Sequence, residues 1–538
     1  MSSNGRVRIG VPSAVVGVVF VLTFLFLGTP LWGANTIYVS KSHGSNHNTL
    51  AQVTVSCHGN VSCTPWASLP GMVSCSLNCA SYRPGPGDHF ILYGGDSWTA
   101  SDLGVNWHWS GTSSSKIYIG VDKTWYSSGV CGSSWCRPIF NCGGAACAGN
   151  SNDYFQASGR YVTFDNIEMT GIYQNDKTYG TDDFFVVYAP NVEIKNMYFH
   201  GWSHGPVSTS ANIYAIVYPG SCSLPGTLFH NNVVDGSDTT KDSMNGIYAC
   251  FEQVYNNYFR YVVSAVLAHV NYVHDNVVEY PIYSYAGDHA NGIFNFGPYS
   301  GTAIYQYNNV IRHTTRCAGC VNIWYNGYTG AHSSLVAYGF NNVMYDLNSS
   351  NIVDIASHPA GNYGNYYLFN NTTECGSDTS TTTCIGGADS GKTFRVYMDN
   401  NHWITSGAVC SLGSGQGTCE TEVTDLAETV ATANSQGYTS SQRYAFSPTS
   451  ATAPTVRAGT NMRSTYCTQL SAIDPAMGAA CRADATDGCS YKTSHHTLIC
   501  PARTANTRPS STPWDIGAYE YATRSNVEAP TDRIATVK

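Results

Sequence analysis

Charge is what this sequence lacks most. Asp, Glu, Lys and Arg make up only 11% of it, against roughly 25% in an ordinary soluble protein. Long Glu/Lys/Leu/Ala stretches with helical periodicity are missing as well, which excludes a helical bundle as the main body. No basic run and no basic–aromatic stripe is present, and the formal net charge is −9. A nucleic-acid partner is excluded on that ground. There is no second long apolar run, so any membrane attachment rests on the N-terminus alone. There Arg6 and Arg8 precede an apolar run from Val11 to Gly28. Residues 1–34 read as an export signal, cut after Gly28 or Gly33, or as an anchor if the segment is retained. The protein is therefore expected to be secreted or held at the cell surface.

What is abundant is tyrosine (38), glycine (52) and cysteine (20). Most cysteines fall in close sequential pairs: Cys57/Cys63, Cys75/Cys79, Cys131/Cys136, Cys142/Cys147, Cys317/Cys320, Cys375/Cys384 and Cys410/Cys419. Cys467, Cys481, Cys489 and Cys500 cluster near the end, leaving Cys222 and Cys250. Local pairing in an oxidising compartment is expected, with loops stapled one by one. Cys317-Ala-Gly-Cys320 has the spacing of a redox or zinc motif but no second Cys-x-x-Cys to complete it.

A repeat organises the chain. Short segments ending in an Asn-containing turn recur nine times: VTFDNIEM (162–169), VEIKNMYF (192–199), TLFHNNVV (227–234), QVYNNYF (253–259), YVHDNVV (272–278), IYQYNNVI (304–311), VAYGFNNVM (336–344), YYLFNNTT (366–373) and VYMDNNHWI (396–404). They alternate apolar and polar residues, favour Val, Ile, Tyr and Phe, and recur at solenoid spacing. The pattern predicts an all-β fold, a right-handed parallel β-helix of stacked coils with about three short strands per coil. Asparagines at one turn of successive coils are expected to hydrogen-bond as a ladder. A strand precedes each Asn segment, among them FFVVY (184–188), NIYAIV (212–217), GIYAC (246–250), AVLAH (265–269), GIFNF (292–296), NIWYN (322–326) and NIVDI (351–355). These should form a first sheet, with Ile247, Val266 and Ile293 as equivalent inward positions. The phrase Asp-x-x-Asn-Gly-Ile occurs twice, at 242–247 and 288–293. Both copies read as turns entering that sheet two coils apart, Asn-Gly tolerating positive φ. The β-helix with its N-terminal cap is assigned to residues 35–404. A Cys-rich region, 405–523, is expected to shield its open end, with a short helix in DLAETVATANS (425–435), and 524–538 reads as a loose tail.

Several stretches resemble a family. NTIYVS (35–40), PWASLP (65–70), RPGPGDHFILYGGDSW (83–98), SGRYVTFDNIEMTG (158–171) and RPSSTPWDIGAYEY (508–521) resemble secreted bacterial right-handed parallel β-helix proteins of the pectate-lyase-like superfamily. The resemblance covers about residues 35 to 521. It implies a polysaccharide partner lying along the first sheet. It implies either β-elimination, with a basic residue and often Ca²⁺, or hydrolysis by aspartates; the superfamily also holds non-catalytic adhesins. No catalytic signature of either group is matched residue by residue.

Chemistry-bearing residues gather around the two copied phrases. Lys241 and Asp242 enter one coil, His269 follows the next strand, Asp288 and His289 enter the coil after, and Arg312 and Arg316 precede the following strand. Asp242 and Asp288 would stand roughly 9–10 Å apart if their turns superpose. That is at the upper end of the roughly 6.5–9.5 Å that an inverting glycosidase uses to admit a water. Alternatively His289 or Lys241 would take the proton α to a uronate carboxylate, with Arg316 or a metal stabilising the anion. The competing reading of each aspartate is a turn cap. Asp182 and Asp183, read as a turn before FFVVY, are the candidate Ca²⁺ ligands. Asp354 lies on or near the same sheet. Alternation places Tyr214, Tyr248, Phe294 and Trp324 outward, as a platform for sugar rings or as a ladder that stabilises the stack. The function expected is an exported polysaccharide lyase or glycoside hydrolase; the alternative is a non-catalytic glycan-binding, adhesion or structural protein.

Overall fold

The computed structural model describes residues 34–58, 63–144, 154–174, 182–204, 213–217, 225–239, 245–248, 250–281, 291–298, 300–314, 317–326, 334–347, 349–356, 363–375, 383–387, 393–412, 417–421 and 424–521. Successive coils each contribute a strand to three faces. The first face includes Asp182–Val187, Ile213–Val217, Asn245–Tyr248, Ile293–Asn295, Cys317–Asn326 and Ser349–Ala356. The second includes Val192–Lys195, Leu228–His230, Cys250–Tyr255, Ala303–Tyr307, Ser334–Phe340 and Tyr363–Phe369. The long strand Val266–His274 runs through both, so that these two faces are hydrogen-bonded into one 23-stranded sheet. The third face is a 12-stranded sheet that includes Glu168–Thr170, Tyr198–His200, Val233–Asp235, Val277–Glu279 and Val310–Arg312. Every pairing in these faces is parallel, each strand meeting its counterpart one coil along. The fold is a right-handed parallel β-helix, the hand that crossovers between parallel strands take almost without exception.

The turn between the second and third faces explains the repeated asparagines. The first residue of each pair takes a left-handed conformation, with φ of 57° at Asn231, 56° at Asn256 and 55° at Asn308. Asparagine tolerates this region better than other non-glycine residues. The second residue turns inward. Asn232, Asn257, Asn276, Asn309, Asn342, Asn371 and Asn401 are almost wholly buried. The Nδ2 of each donates to the Oδ1 of the next at 2.9–3.1 Å from Asn232 to Asn401. Each Nδ2 also donates to a strand carbonyl, as Asn309 does to Val273 at 2.9 Å. The ladder ends on Asp425, whose Oδ1 accepts from the Asn401 backbone and Nδ2 at 2.7 and 3.2 Å. Burial pushes the Asp425 carboxyl up to about 6, against the hydrogen bonds it receives from Asn401 and Trp403.

Inside, the core is a continuous apolar column. Ile247, Val266 and Ile293 pair in register and are fully buried, as the copied phrase predicts, and Ile323, Val353 and Ile385 continue the row. Burying one such side chain stabilises the fold by about 1.5–3 kcal/mol. Disulfides are local throughout: Cys57–Cys63, Cys75–Cys79, Cys131–Cys136, Cys375–Cys384, Cys410–Cys419, Cys467–Cys481 and Cys489–Cys500. Among the described residues no cysteine is free, and no helix is long and apolar enough to cross a membrane. Residues 1–33, and with them the expected export segment, lie outside the described residues.

The region after residue 404 differs from expectation in two ways. The β-helix does not stop there: Cys410–Leu412, Gly417–Thr421 and Leu426–Glu428 add a further coil in register. Small residues and an Asp in place of the ladder Asn hid it. Moreover, the remainder runs along the side of the solenoid as a strip, after the helix Val430–Ser435. It reaches Asn400 through Thr460 and Gly517, Asn341 through Ala480 and Ala483, Asp235 through Tyr491, and Tyr198 through His496. The physical reason is the second face, whose outer side carries two aromatic rows. One runs His230, Tyr255, His274, Tyr307, Phe340, Phe369, with neighbouring centroids 4.6–5.0 Å apart. The other runs Tyr272, Tyr305, Tyr338, Tyr367, Tyr397. So large an apolar surface needs cover. Met462, Tyr466, Leu470, Met477 and Trp514 supply it over these rows. Ala433, Tyr438, Phe446 and Tyr519 cover the third face.

Candidate functional site

With the strip's contacts falling on the second and third faces, the first face is the candidate surface. Its outer positions align from coil to coil. Tyr248 follows Ile247 and neighbours Leu267 across the Ile247–Val266 pair; Leu267 pairs with Phe294, Phe294 with Trp324, and Trp324 with Asp354. Five strands at about 4.8 Å spacing make this row roughly 19 Å long. Tyr248 is 41% exposed. Phe294 packs edge-on against Phe296, centroids 4.7 Å apart, and Phe296 also meets Tyr248 at 6.3 Å and His269 at 5.5 Å. His269, half-buried, is on the same outward parity as Leu267. Buried Asn295 fixes this patch from beneath. Its Nδ2 donates to the Val270 carbonyl at 2.9 Å, and its Oδ1 accepts from Gly297 N at 3.0 Å.

Three expectations are corrected. Tyr214 is outside the row: it pairs with Asp183 and Asn245, and Ile216, not Ile213, pairs with Ile247. The shift is three residues, and any odd slip reverses the face assigned to every position in the strand. Asp182 and Asp183 are strand residues rather than turn residues, and Asp183 is buried at 1% exposure. The turn geometry on which the Ca²⁺ reading rested is therefore not there. Arg312 is on the third face, in Val310–Arg312. It donates to Glu279 Oε2 from Nε at 3.0 Å, and to the hydroxyls of Tyr345 and Tyr258. It is thus a structural cation on the third face, not on the first. Lys241, Asp242, Asp288, His289 and Arg316 lie outside the described residues. For Trp324 and Asp354 the register positions stand, and their side chains lie outside the description.

The sequence reading missed a second titratable cluster, on the third face. His200 Nδ1 is 2.6 Å from Asp238 and Nε2 is 3.0 Å from Glu168. Its ring stacks on Tyr198, which stacks in turn on His496. Burial opposes the imidazolium charge, but the bonds to Asp238 and Glu168 outweigh it and raise the pKa to about 9. Both ring nitrogens are engaged, which makes this an ion-paired brace rather than a free base. Because the folded-state pKa lies above the ordinary value of about 6.5, its stabilisation is complete below pH 6.5. It is lost as pH rises through 9. Asp238 is half exposed, so the loss is discounted to about 1–2 kcal/mol. In urea unfolding at pH 7 and pH 10, His200→Gln is expected to be weaker than wild type at pH 7 and to show a smaller further loss at pH 10. Parallel pH dependences would refute the assignment.

No family model matches the chain, and no curated protein matches it. Solved structures similar to it include a GH136 lacto-N-biosidase from Eubacterium ramulus, with 13% identity, 74% of this chain and 68% of that chain covered, and a TM-score of 0.45. A rhamnogalacturonan lyase has 12% identity, coverage of 74% and 90%, and a TM-score of 0.39. The pectate lyase Pel9A has 14% identity, coverage of 91% and 96%, and a TM-score of 0.34. At such identities a likeness concerns the fold and carries nothing about chemistry.

Proposed function

We propose that this protein is an exported polysaccharide-active β-helix enzyme that binds a glycan along its first face and cleaves it there. The observation that carries the reading is the Tyr248–Leu267–Phe294–Trp324–Asp354 row, one apolar or acidic position per coil. It lies on the face away from the strip's contacts, while the longer aromatic rows of the second face are packed beneath the strip. Sugar rings present C–H faces that stack on aromatic side chains, and an aromatic patch on a rigid sheet binds them with little ordering cost. Lys241, Asp242, Asp288, His289 and Arg316, in the segments entering the same strands, are the proposed acids, bases and charge stabilisers, with His269 beside them. Elimination would use the basic members, and hydrolysis the two aspartates.

A panel of acidic and neutral polysaccharides, with and without Ca²⁺, tests this. New reducing ends with ultraviolet absorbance mean a lyase; reducing ends alone mean a hydrolase. Binding without cleavage leaves a non-catalytic glycan-binding protein and overturns the enzyme reading. On whichever glycan responds, Tyr248→Ala and Phe294→Ala are each expected to weaken binding about tenfold, or ~1.4 kcal/mol. Tyr272→Ala, on the covered second face, should leave it unchanged. Equal affinity in all three variants would sink the first-face assignment.

A further inference from the structure

The strip contains an open cavity of about 640 Å³, far from the first-face row in sequence and lined by Asn461, Arg463, Thr468, Arg482, Ser510 and Ser511. Two arginines share it with serines, a threonine and an asparagine, and no acidic residue is among its lining residues. We propose that this cavity binds the oxyanion of an acidic sugar, a uronate carboxylate or a sulfate ester.

Four arginines of the strip and of the faces it covers are neutralised by carboxylates. Arg312 meets Glu279, Arg260 meets Asp235, Arg503 meets Asp484 and Arg508 meets Glu520. Arg463 and Arg482 form no ion pair among the described residues. Arg482 is held instead by neutral groups: Nη1 donates to the Gly478 carbonyl at 3.1 Å and to Ser471 Oγ at 3.3 Å, and Nη2 donates to the Cys467 carbonyl at 3.3 Å. Its position is thus fixed while its charge stays uncompensated.

The walls are fixed too. The Cys467–Cys481 disulfide joins the segment that carries Arg463 to the helix Pro475–Cys481 that precedes Arg482. Asn461 Nδ2 donates to the carbonyls of Pro509 and Thr512 at 3.2 and 3.1 Å, which holds the Ser510–Ser511 loop in place. Thr468 Oγ1 donates to the Arg463 carbonyl at 2.9 Å. A planar guanidinium matches a carboxylate or sulfate through paired N–H donors. The exposed serine hydroxyls suit the neighbouring sugar oxygens. In a chain of net charge −9, such a paired cationic site selects where on the surface an acidic glycan is held.

This assignment rests on residues the first-face reading does not use, and the two can fail separately. Calorimetric titration of the full chain with trigalacturonate, its methyl ester and inorganic sulfate tests it. Trigalacturonate is expected to bind through a component that Arg463→Ala weakens at least tenfold and Tyr248→Ala leaves intact. The methyl ester should lack that component. Arg482→Lys should weaken it similarly, and because Arg482 also braces its own segment, Arg463→Ala with an unchanged melting temperature is the deciding variant. Unchanged binding in Arg463→Ala, or equal binding of the methyl ester, overturns the proposal. Binding of sulfate without trigalacturonate overturns the acidic-sugar assignment and leaves a site for a free inorganic anion.

Discussion

Asn309→Ala is expected to cost about 3–5 kcal/mol of stability, a large effect for so small a truncation. Asn309 stands in the middle of the buried ladder. Its Oδ1 accepts from the Asn276 backbone and Nδ2 at 3.2 and 3.1 Å, and its Nδ2 donates to Val273 O at 2.9 Å and Asn342 Oδ1 at 3.1 Å. Alanine leaves several buried polar groups without partners, each worth about 1–3 kcal/mol and not strictly additive. Asn256→Gly is the control. Asn256 is the outward, left-handed member of its pair, with φ of 56°, a conformation that glycine adopts freely. It should cost under about 1 kcal/mol. Urea unfolding monitored by circular dichroism compares the two; a ladder variant no weaker than the control would show that the ladder is ornamental to stability.

Arg508→Ala is expected to release the strip from the solenoid and to cost a further about 3–5 kcal/mol in its own right. Arg508 is 1% exposed. Nη1 donates to Glu520 Oε1 at 2.6 Å, and Nη2 donates to Asn341 Oδ1 at 3.2 Å and the Gly517 carbonyl at 3.1 Å. Its guanidinium also lies 5.3 Å from the Trp514 ring centre. One side chain therefore joins an outward turn residue of the solenoid to both ends of the segment 508–521. Without it, Glu520 is left buried with no cation, and burial already pushes that carboxyl upward. Lysine should not rescue the variant, because a point charge cannot span these acceptors. Limited proteolysis is the direct readout. Cleavage within 430–521, ahead of the coils, is the expected result; a protected strip with a loss under about 1 kcal/mol would contradict it.

The parts of the fold that were legible in the sequence are those that depend on one coil and its neighbour. Asn pairs mark the turn because one member must tolerate positive φ and the other must bond to its copy above. The Cys spacings are legible because, among the described residues, each disulfide closes a short loop between cysteines near in sequence. Ile247, Val266 and Ile293 could be aligned because the copied phrase anchors them. Tyr214 had no such anchor, and a shift of three residues misplaced it. Arg312 was misread because it follows the Asn turn so closely that it belongs to the third face, not to the entry of the next coil. The strip was misplaced for a different reason. Its partners are dispersed over most of the chain, and no local pattern announces them. One signal was available: Tyr305, Tyr307, Tyr338, Phe340 and Phe369 alternate on the outward parity of their strands, too many rings to leave in water. Of the candidate site, the sequence could indicate the sheet and the row; the geometry of the entering segments depends on loops with no repeat to constrain them.

The lateral strip has a consequence for how such a chain can change over evolutionary time. Solenoids ordinarily gain or lose coils by duplication and deletion, since each coil touches only its neighbours. Here, one segment is fastened at Tyr198, Asp235, Asn341 and Asn400 in turn. Adding a coil between any two of these points would displace the later ones by about 4.8 Å and break the fastening. The strip works as a ruler, and the number of coils beneath it is fixed by its length.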